Sequence, residues 1–302
     1  MFLTFFEYPY LAVGSGFVLG SVIGSFLNVC AYRIPREISV LFPPSSCPGC
    51  EKRIPWLLNI PLVSWLLLKG RAKCCDFNIP SRYFVVELAS GIIFSFLFYN
   101  FTVDAGAELL FLSIVFTSLL LVVSVIDAET MLIPDRFSIG GAFLGLILSF
   151  FFPILHGYSD NPLKGEMISG FFDSFMGMII SSSFLFWIGA IAERLLRREA
   201  LGQGDVKLLG CIGAFCGWEG GVFSIFGGAV LGTSLMIPVV IFEKFFSSKK
   251  HKNNDQVGWG VEIPFGPFLA LAALIYFLFL GEIVDEWFEQ TWINFVHLSS
   301  VL

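Results

Sequence analysis

The sequence predicts an all-α polytopic membrane protein of about eight transmembrane helices, with a large cytosolic Cys-containing loop between the first two. Three observations carry this prediction. The 302 residues are 56% hydrophobic and only 14% charged, with a mean hydropathy of +0.81, far from the composition of soluble domains. The apolar residues gather into runs near the length of about 20 that a helix needs to cross hydrocarbon. The basic residues fall in alternate loops, as the positive-inside rule requires. The 36 Phe suit lipid-facing surfaces, and the 30 Gly suit close helix approach.

In chain order the spans fall near 11–32, 83–100, 107–126, 136–153, 170–192, 206–220, 221–242 and 264–281. No Lys or Arg precedes Arg33, so the N-terminus lacks the charged region of a cleaved signal peptide and its apolar segment is expected to be retained. Segments 83–100 and 206–220 are the short ones. Residues 33–82 are polar and rich in Pro, Cys and basic side chains. The tail 283–302 holds Trp287, Phe288, Trp292 and Phe295 and no Lys or Arg; it can lie on the outer interface or pack. The organisation is a first helix over 1–32, the loop 33–82, a membrane-embedded domain over 83–282 and a non-cytosolic tail over 283–302.

Eight spans with the N-terminus outside put loops 33–82, 127–136, 193–206 and 244–263 in the cytosol. With Lys207, these hold 17 of the 18 basic residues, and only Lys164 falls outside. Removing one helix would scatter that pattern. No basic block with interleaved aromatics suggests nucleic acid; the surroundings are membrane lipid.

This topology brings two acids to one depth. Asp127 ends an out-to-in helix, and Asp205, behind Gly202 and Gly204, begins an in-to-out helix. A carboxylate at a membrane edge is costly and marks a functional site by default, although a lone one often only caps or snorkels. Two close carboxylates share a proton: one activates water as a general base while the other polarises a carbonyl. Gly202 and Gly204 let the backbone turn and approach a substrate strand. Lys207 either biases the local field or is an ordinary positive-inside anchor. Glu129 is the rival to Asp127. Asp135 is expected to cap the helix over 136–153. No H-E-x-x-H sequence is present, and His156, His251 and His297 lie in loops or the tail, where solvation is expected.

Cys47-Pro48-Gly49-Cys50 is a C-x-x-C knuckle, followed by Cys74-Cys75. Two thiol pairs in a cytosolic loop point to a four-thiolate zinc site rather than a disulfide. Adjacent cysteines ligate one metal poorly, so Cys47, Cys50 and Cys75 are the better ligands and Cys74 the weaker; a regular second pair would need a thiol at Ala72. Cys30, Cys211 and Cys216 read as packing residues.

The motifs resemble those of the type IV prepilin peptidases (prepilin leader peptidase/N-methyltransferases) over nearly the whole chain. They are Gly24-Ser25-Phe26-Leu27-Asn28-Val29, Tyr32-Arg33-Ile34-Pro35, Cys47-Pro48-Gly49-Cys50, residues 59–66 and 81–87, Asp127 with Ile133-Pro134-Asp135, residues 202–207 and residues 263–269. By resemblance, Asp127 and Asp205 form the dyad of a G-x-G-D aspartic peptidase, and 83–282 is its peptidase domain. The resemblance implies cleavage of the leader from type IV prepilins and type II secretion pseudopilins at the cytosolic face of the inner membrane. It further implies N-methylation of the new terminus with S-adenosylmethionine, in which loop 33–82 takes part. Ala72 with Cys74-Cys75, and Phe84 where Pro is usual, depart from the family pattern. The alternatives are a peptidase without methyl transfer and a non-catalytic transporter or scaffold.

Overall fold

The computed structural model describes residues 9–42, 44–75, 77–103, 106–158, 163–197, 201–246 and 264–301. Among them the chain is helical, with no strand and only two isolated bridges, Ser46 with Arg53 and Arg71 with Asn78. It divides into two compact units, Met1–Ile126 and Asp127–Leu302. The basic residues Arg198, Lys249, Lys250 and Lys252, as well as His251 and Ile263, lie outside the described residues.

In the first unit, α1 (Pro9–Arg33) pairs with α3 (Ser81–Val103). The pairing rests on small residues. A Cβ placed on Gly16 would stand 2.6 Å from the Phe94 carbonyl oxygen, and one on Gly24 would meet Ser90 and Glu87 at 2.7 to 3.0 Å. As the number rises by eight on α1 it falls on α3, so the helices are antiparallel, held close by Gly16, Gly20 and Gly24 about one turn apart. Asn28 Nδ2 donates to the Tyr83 carbonyl at 3.2 Å and closes the lower end. Arg33 is buried and donates to the carbonyls of Ser39, Val40 and Pro44, so a guanidinium at the membrane edge organises the start of the Cys loop. The short α2 (Val63–Leu67) follows Leu62, whose backbone is left-handed at φ 62 and whose N–H donates to Glu87 Oε2 at 2.7 Å. Phe84 packs in a tilted arrangement on Trp65 with centroids 5.1 Å apart, which gives the departure from proline a packing role. Helix α4 runs Gly106–Thr130 and ends past the boundary between the units.

The second unit contains α5 (Asp135–Phe151), α6 (Lys164–Leu196), α7 (Gln203–Phe246), α8 (Gly266–Ile275) and α9 (Gly281–Val301). Among the described residues of the whole chain, six helices are long and apolar enough to cross a membrane by length and composition. The expected eight follow once the 17-residue α5 is added and α7 is divided. Gly217, at φ 69 and ψ −179, breaks α7, and the neighbours on either side show the chain reversing. Before it, Gly210 faces Met178 and Ser174 Oγ donates to the Ala214 carbonyl at 2.7 Å, so α7 runs against α6. After it, Gly221 faces Ser181 and Phe226 faces Phe184, so α7 runs with α6. The two expected spans are therefore the arms of a hairpin that turns on a residue able to take positive φ, three positions earlier than the sequence suggested.

One expectation is corrected. His156 is not a solvated loop residue: the 3₁₀ turn Pro153–His156 folds back so that its Nε2 lies 3.0 Å from Ser149 Oγ, and burial pulls the imidazole down to about 4, opposed by Asp173 and the Ala214 backbone. The tail is a helix, joined to α8 by a π-helical segment Tyr276–Leu280. Phe288 packs on Trp218 at 5.0 Å, whereas Trp287, Trp292 and Phe295 stay exposed.

Candidate active site

Both acids belong to the second unit, and the fold brings them to one end of it. Asp127 stands in the last turn of α4, Asp205 in the first turn of α7, and both are buried, with 5% and 9% of their surface exposed. Asp205 lies within electrostatic reach of Asp127. Glu129 and Ala128 face outward while Asp127 faces in, because positions one and two residues apart on a helix point in different directions. That separates the two carboxylates that sequence alone left as rivals.

The packing around the acids is made of glycine and Ile133. A Cβ on Gly202 would stand 3.2 Å from Asp205 Oδ2, and one on Gly204 would stand 3.1 Å from Ile133 Cβ. Neither glycine has positive φ, so what they supply is room rather than an unusual turn. Ile133 also faces Gly266, whose N–H donates to Asp127 Oδ2 at 2.9 Å. The α4 end, the Ile133 loop, the α7 start and the α8 start thus meet at the two carboxylates. The role of Gly266 could not be read from periodicity, since it depends on a backbone N–H.

Lys207 Nζ donates to Asp135 Oδ1 at 2.7 Å, with 38% and 61% of the two side chains exposed. Asp135 is the first residue of α5, and the N-cap position is taken by Pro134. The expected capping role is replaced by a tie between the starts of α5 and α7. An exposed pair of this kind contributes about 1 kcal/mol or less.

In the first unit, Cys47, Cys50, Cys74 and Cys75 bring all four Sγ atoms within 4.8 Å of one another. The Cys47–Cys75 separation is 3.5 Å and the Cys50–Cys74 separation 3.3 Å. The objection to adjacent cysteines does not hold here, because the Arg71–Asn78 bridge and the Ala72 N–H donating to the Phe77 carbonyl at 2.8 Å close a turn that carries both thiols. That turn aims Cys74 and Cys75 at different members of the knuckle, and Cys74 supplies the thiol that Ala72 lacks. Cys47 is only 2% exposed. Its burial raises the thiol, but the N–H groups of Gly49 and Cys50 and the thiols of Cys74 and Cys75 outweigh this and bring it to about 7. Cys50 and Cys47 push Cys74 up to about 12. One thiolate is favoured at the expense of its neighbours, the conflict that a bound dication resolves. The donor set fits tetrahedral zinc.

A cavity of about 400 Å³ opens beside the knuckle, lined by Pro44, Ser45, Arg53, Ile54, Pro55 and Asn59. The Ser46–Arg53 bridge, the Ile54 N–H donating to the Ser45 carbonyl and the Cys47 N–H donating to the Lys52 carbonyl connect its walls to the thiols.

Residues 18–101 match the family described as the bacterial peptidase A24 N-terminal domain, and residues 114–237 match the type IV leader peptidase family. A prepilin leader peptidase/N-methyltransferase from Klebsiella pneumoniae is 34% identical over 219 residues, 70% of this chain and 89% of its own length. Another of that name from Stutzerimonas stutzeri is 29% identical over 306 residues, covering 93% and 95%. One from Dichelobacter nodosus is 30% identical over 292 residues, covering 87% and 90%. No solved structure matches the chain.

Proposed function

The chain belongs to the type IV leader peptidase family, and from that membership we propose a multi-pass membrane enzyme that removes the leader from prepilins and methylates the new N-terminus. The observation that carries the peptidase reading is the pair of buried carboxylates, Asp127 and Asp205, at one end of a helical unit. With one proton between them, one acid takes a proton from water as its oxygen bonds to the scissile carbonyl carbon. The other gives its proton to the carbonyl oxygen. The tetrahedral intermediate collapses with return of a proton to the dyad, and the leaving amine takes the other proton. No cofactor enters these steps.

The dyad faces the cytosol of the inner membrane, and both termini lie on the opposite side. The Lys and Arg distribution supports this orientation, since the loops on the dyad side hold nearly all the basic residues. Residues 83–282 form the peptidase domain. Type IV prepilins and type II secretion pseudopilins are the substrates, presented by lateral entry of their apolar helix from lipid.

When bound, S-adenosylmethionine would supply an electrophilic methyl group for transfer to the freed amine, leaving as the neutral thioether. The cavity beside the thiols is the region of loop 33–82 suited to it: its volume lies in the ligand-site range, Arg53 offers a partner for a carboxylate, and Asn59 and Ser45 offer polar contacts. Zinc on the four thiols would fix the walls of that cavity rather than take part in transfer. Intact-mass analysis of pilin processed in membranes tests the reading. Mature pilin carrying one added methyl group is expected. Uncleaved precursor would overturn the peptidase function, and cleaved but unmethylated pilin would overturn the second activity.

A further inference from the structure

At the dyad, one contact is made by a backbone group that neither matched family stretch includes, since those stretches end at residue 237. Helix α8 begins at Gly266, and the first turn of any helix leaves N–H groups without intrahelical acceptors. Pro267 removes one of them. Phe268 and Leu269 both donate to the Phe265 carbonyl at 3.1 Å. The Gly266 N–H is left, and it donates to Asp127 Oδ2 at 2.9 Å in a buried setting. The approach depends on the missing side chain: a Cβ on Gly266 would stand 2.6 Å from Oδ2, 3.1 Å from Asp127 Cγ and 3.3 Å from Ile133 Cδ1. Gly266 does not have positive φ, so the requirement is for space. Among the described residues no N–H donates to the Asp205 carboxyl, which makes the two acids unequal.

We propose that Gly266 is a positioning residue of the peptidase, whose N–H holds Asp127 Oδ2 as an acceptor and so makes Asp127 the general base and Asp205 the general acid. This rests on the two-aspartate reading above. An oxygen that accepts a fixed N–H does not carry the shared proton towards that donor, and the N–H fixes the rotation of the carboxylate. Asp127 Oδ1 is then turned to the water. The water's proton passes to Asp127, its oxygen bonds to the carbonyl carbon, and the Asp205 proton passes to the carbonyl oxygen. When the C–N bond breaks, Asp127 returns its proton to the amine and Asp205 recovers one from the hydroxyl.

The test is Gly266→Ala in full-length enzyme in membranes, beside Gly232→Ala on the same α7–α8 contact. A Cβ on Gly232 meets the Phe268 ring at an ordinary 3.5 Å. The expected result for Gly266→Ala is a kcat for precursor cleavage lower on the order of 100-fold with KM unchanged, while Gly232→Ala keeps both. Parental kcat in Gly266→Ala, or an equal loss in Gly232→Ala, would overturn the inference.

Hydrogen exchange over residues 264–268 tests it without that variant, because only Phe265, Gly266 and Phe268 contribute amides there. Asp127→Ala is expected to add one fast-exchanging amide and Asp205→Ala none; no change, or equal change in both, would contradict the contact. If Asp127→Asn and Asp205→Asn still cleave, the dyad reading fails. If both are dead while Gly266→Ala is fully active, only this inference fails.

Discussion

Asp127 and Asp205 stand 78 positions apart and meet because helices carry them to one depth, whereas Cys47, Cys50, Cys74 and Cys75 lie within 28 positions and meet inside one loop. The acids are fixed by burial, by glycines that give them room and by one backbone donor. The thiols are fixed by two turns and by their need for a common ligand. Damage to helix packing therefore threatens the first site, and loss of any one thiol threatens the second. The two activities are expected to separate along that line.

The largest effect that would sharpen this contrast is complete separation. Asp205→Asn is expected to lose at least about 10³-fold in cleavage, the scale seen when one member of a catalytic unit is removed. It should still methylate a pilin supplied without its leader. Loss of both activities would merge the sites.

Next is the reciprocal change. Cys75→Ser and Cys74→Ser are each expected to release metal and to lower methylation roughly tenfold or more, with cleavage retained, as followed by metal content and product mass. If Cys74→Ser alone is silent, the adjacent pair does not act as two ligands.

A third effect is confined to stability. His156 is held neutral by burial and titrates near 4 in the fold, against about 6.5 in an unfolded chain. The unfolded chain binds the proton first, so stability falls as pH drops from about 6.5 towards 4, by roughly 3 kcal/mol at most. The thermal midpoint in detergent should fall less in His156→Gln over that window than in the parent.

The smallest effect is at the exposed pair. Lys207→Ala is expected to cost about 1 kcal/mol or less and to reduce cleavage only a few-fold. A loss as large as that of Asp205→Asn would make Lys207 part of the chemistry.

The sequence made the spans, the basic loops and both aspartates legible because each leaves a periodic or compositional trace. The hairpin in α7 was half legible: the apolar run exceeded one span, but the turn at Gly217 depends on a dihedral angle that sequence does not show. Asp127 and Glu129 could not be separated until the last turn of α4 was oriented. Cys74 read poorly because adjacency in sequence was taken as adjacency in direction, and the turn closed by Ala72 and Phe77 parts the two thiols. His156 looks like a solvated loop position in sequence, because the turn that folds it back onto Ser149 leaves no periodic trace. Gly266 is visible only as part of the motif over 263–269; its role depends on a backbone N–H and on room beside Asp127, which neither periodicity nor composition shows.

Precursor-pilin cleavage in membranes by the parent, Asp127→Asn, Glu129→Gln and Asp205→Asn decides whether the two buried carboxylates carry the chemistry. Both aspartate variants are expected to be inactive, whereas Glu129→Gln, altered at an outward-facing position, is expected to cleave like the parent. Cleavage by either aspartate variant at the parental rate would contradict that role.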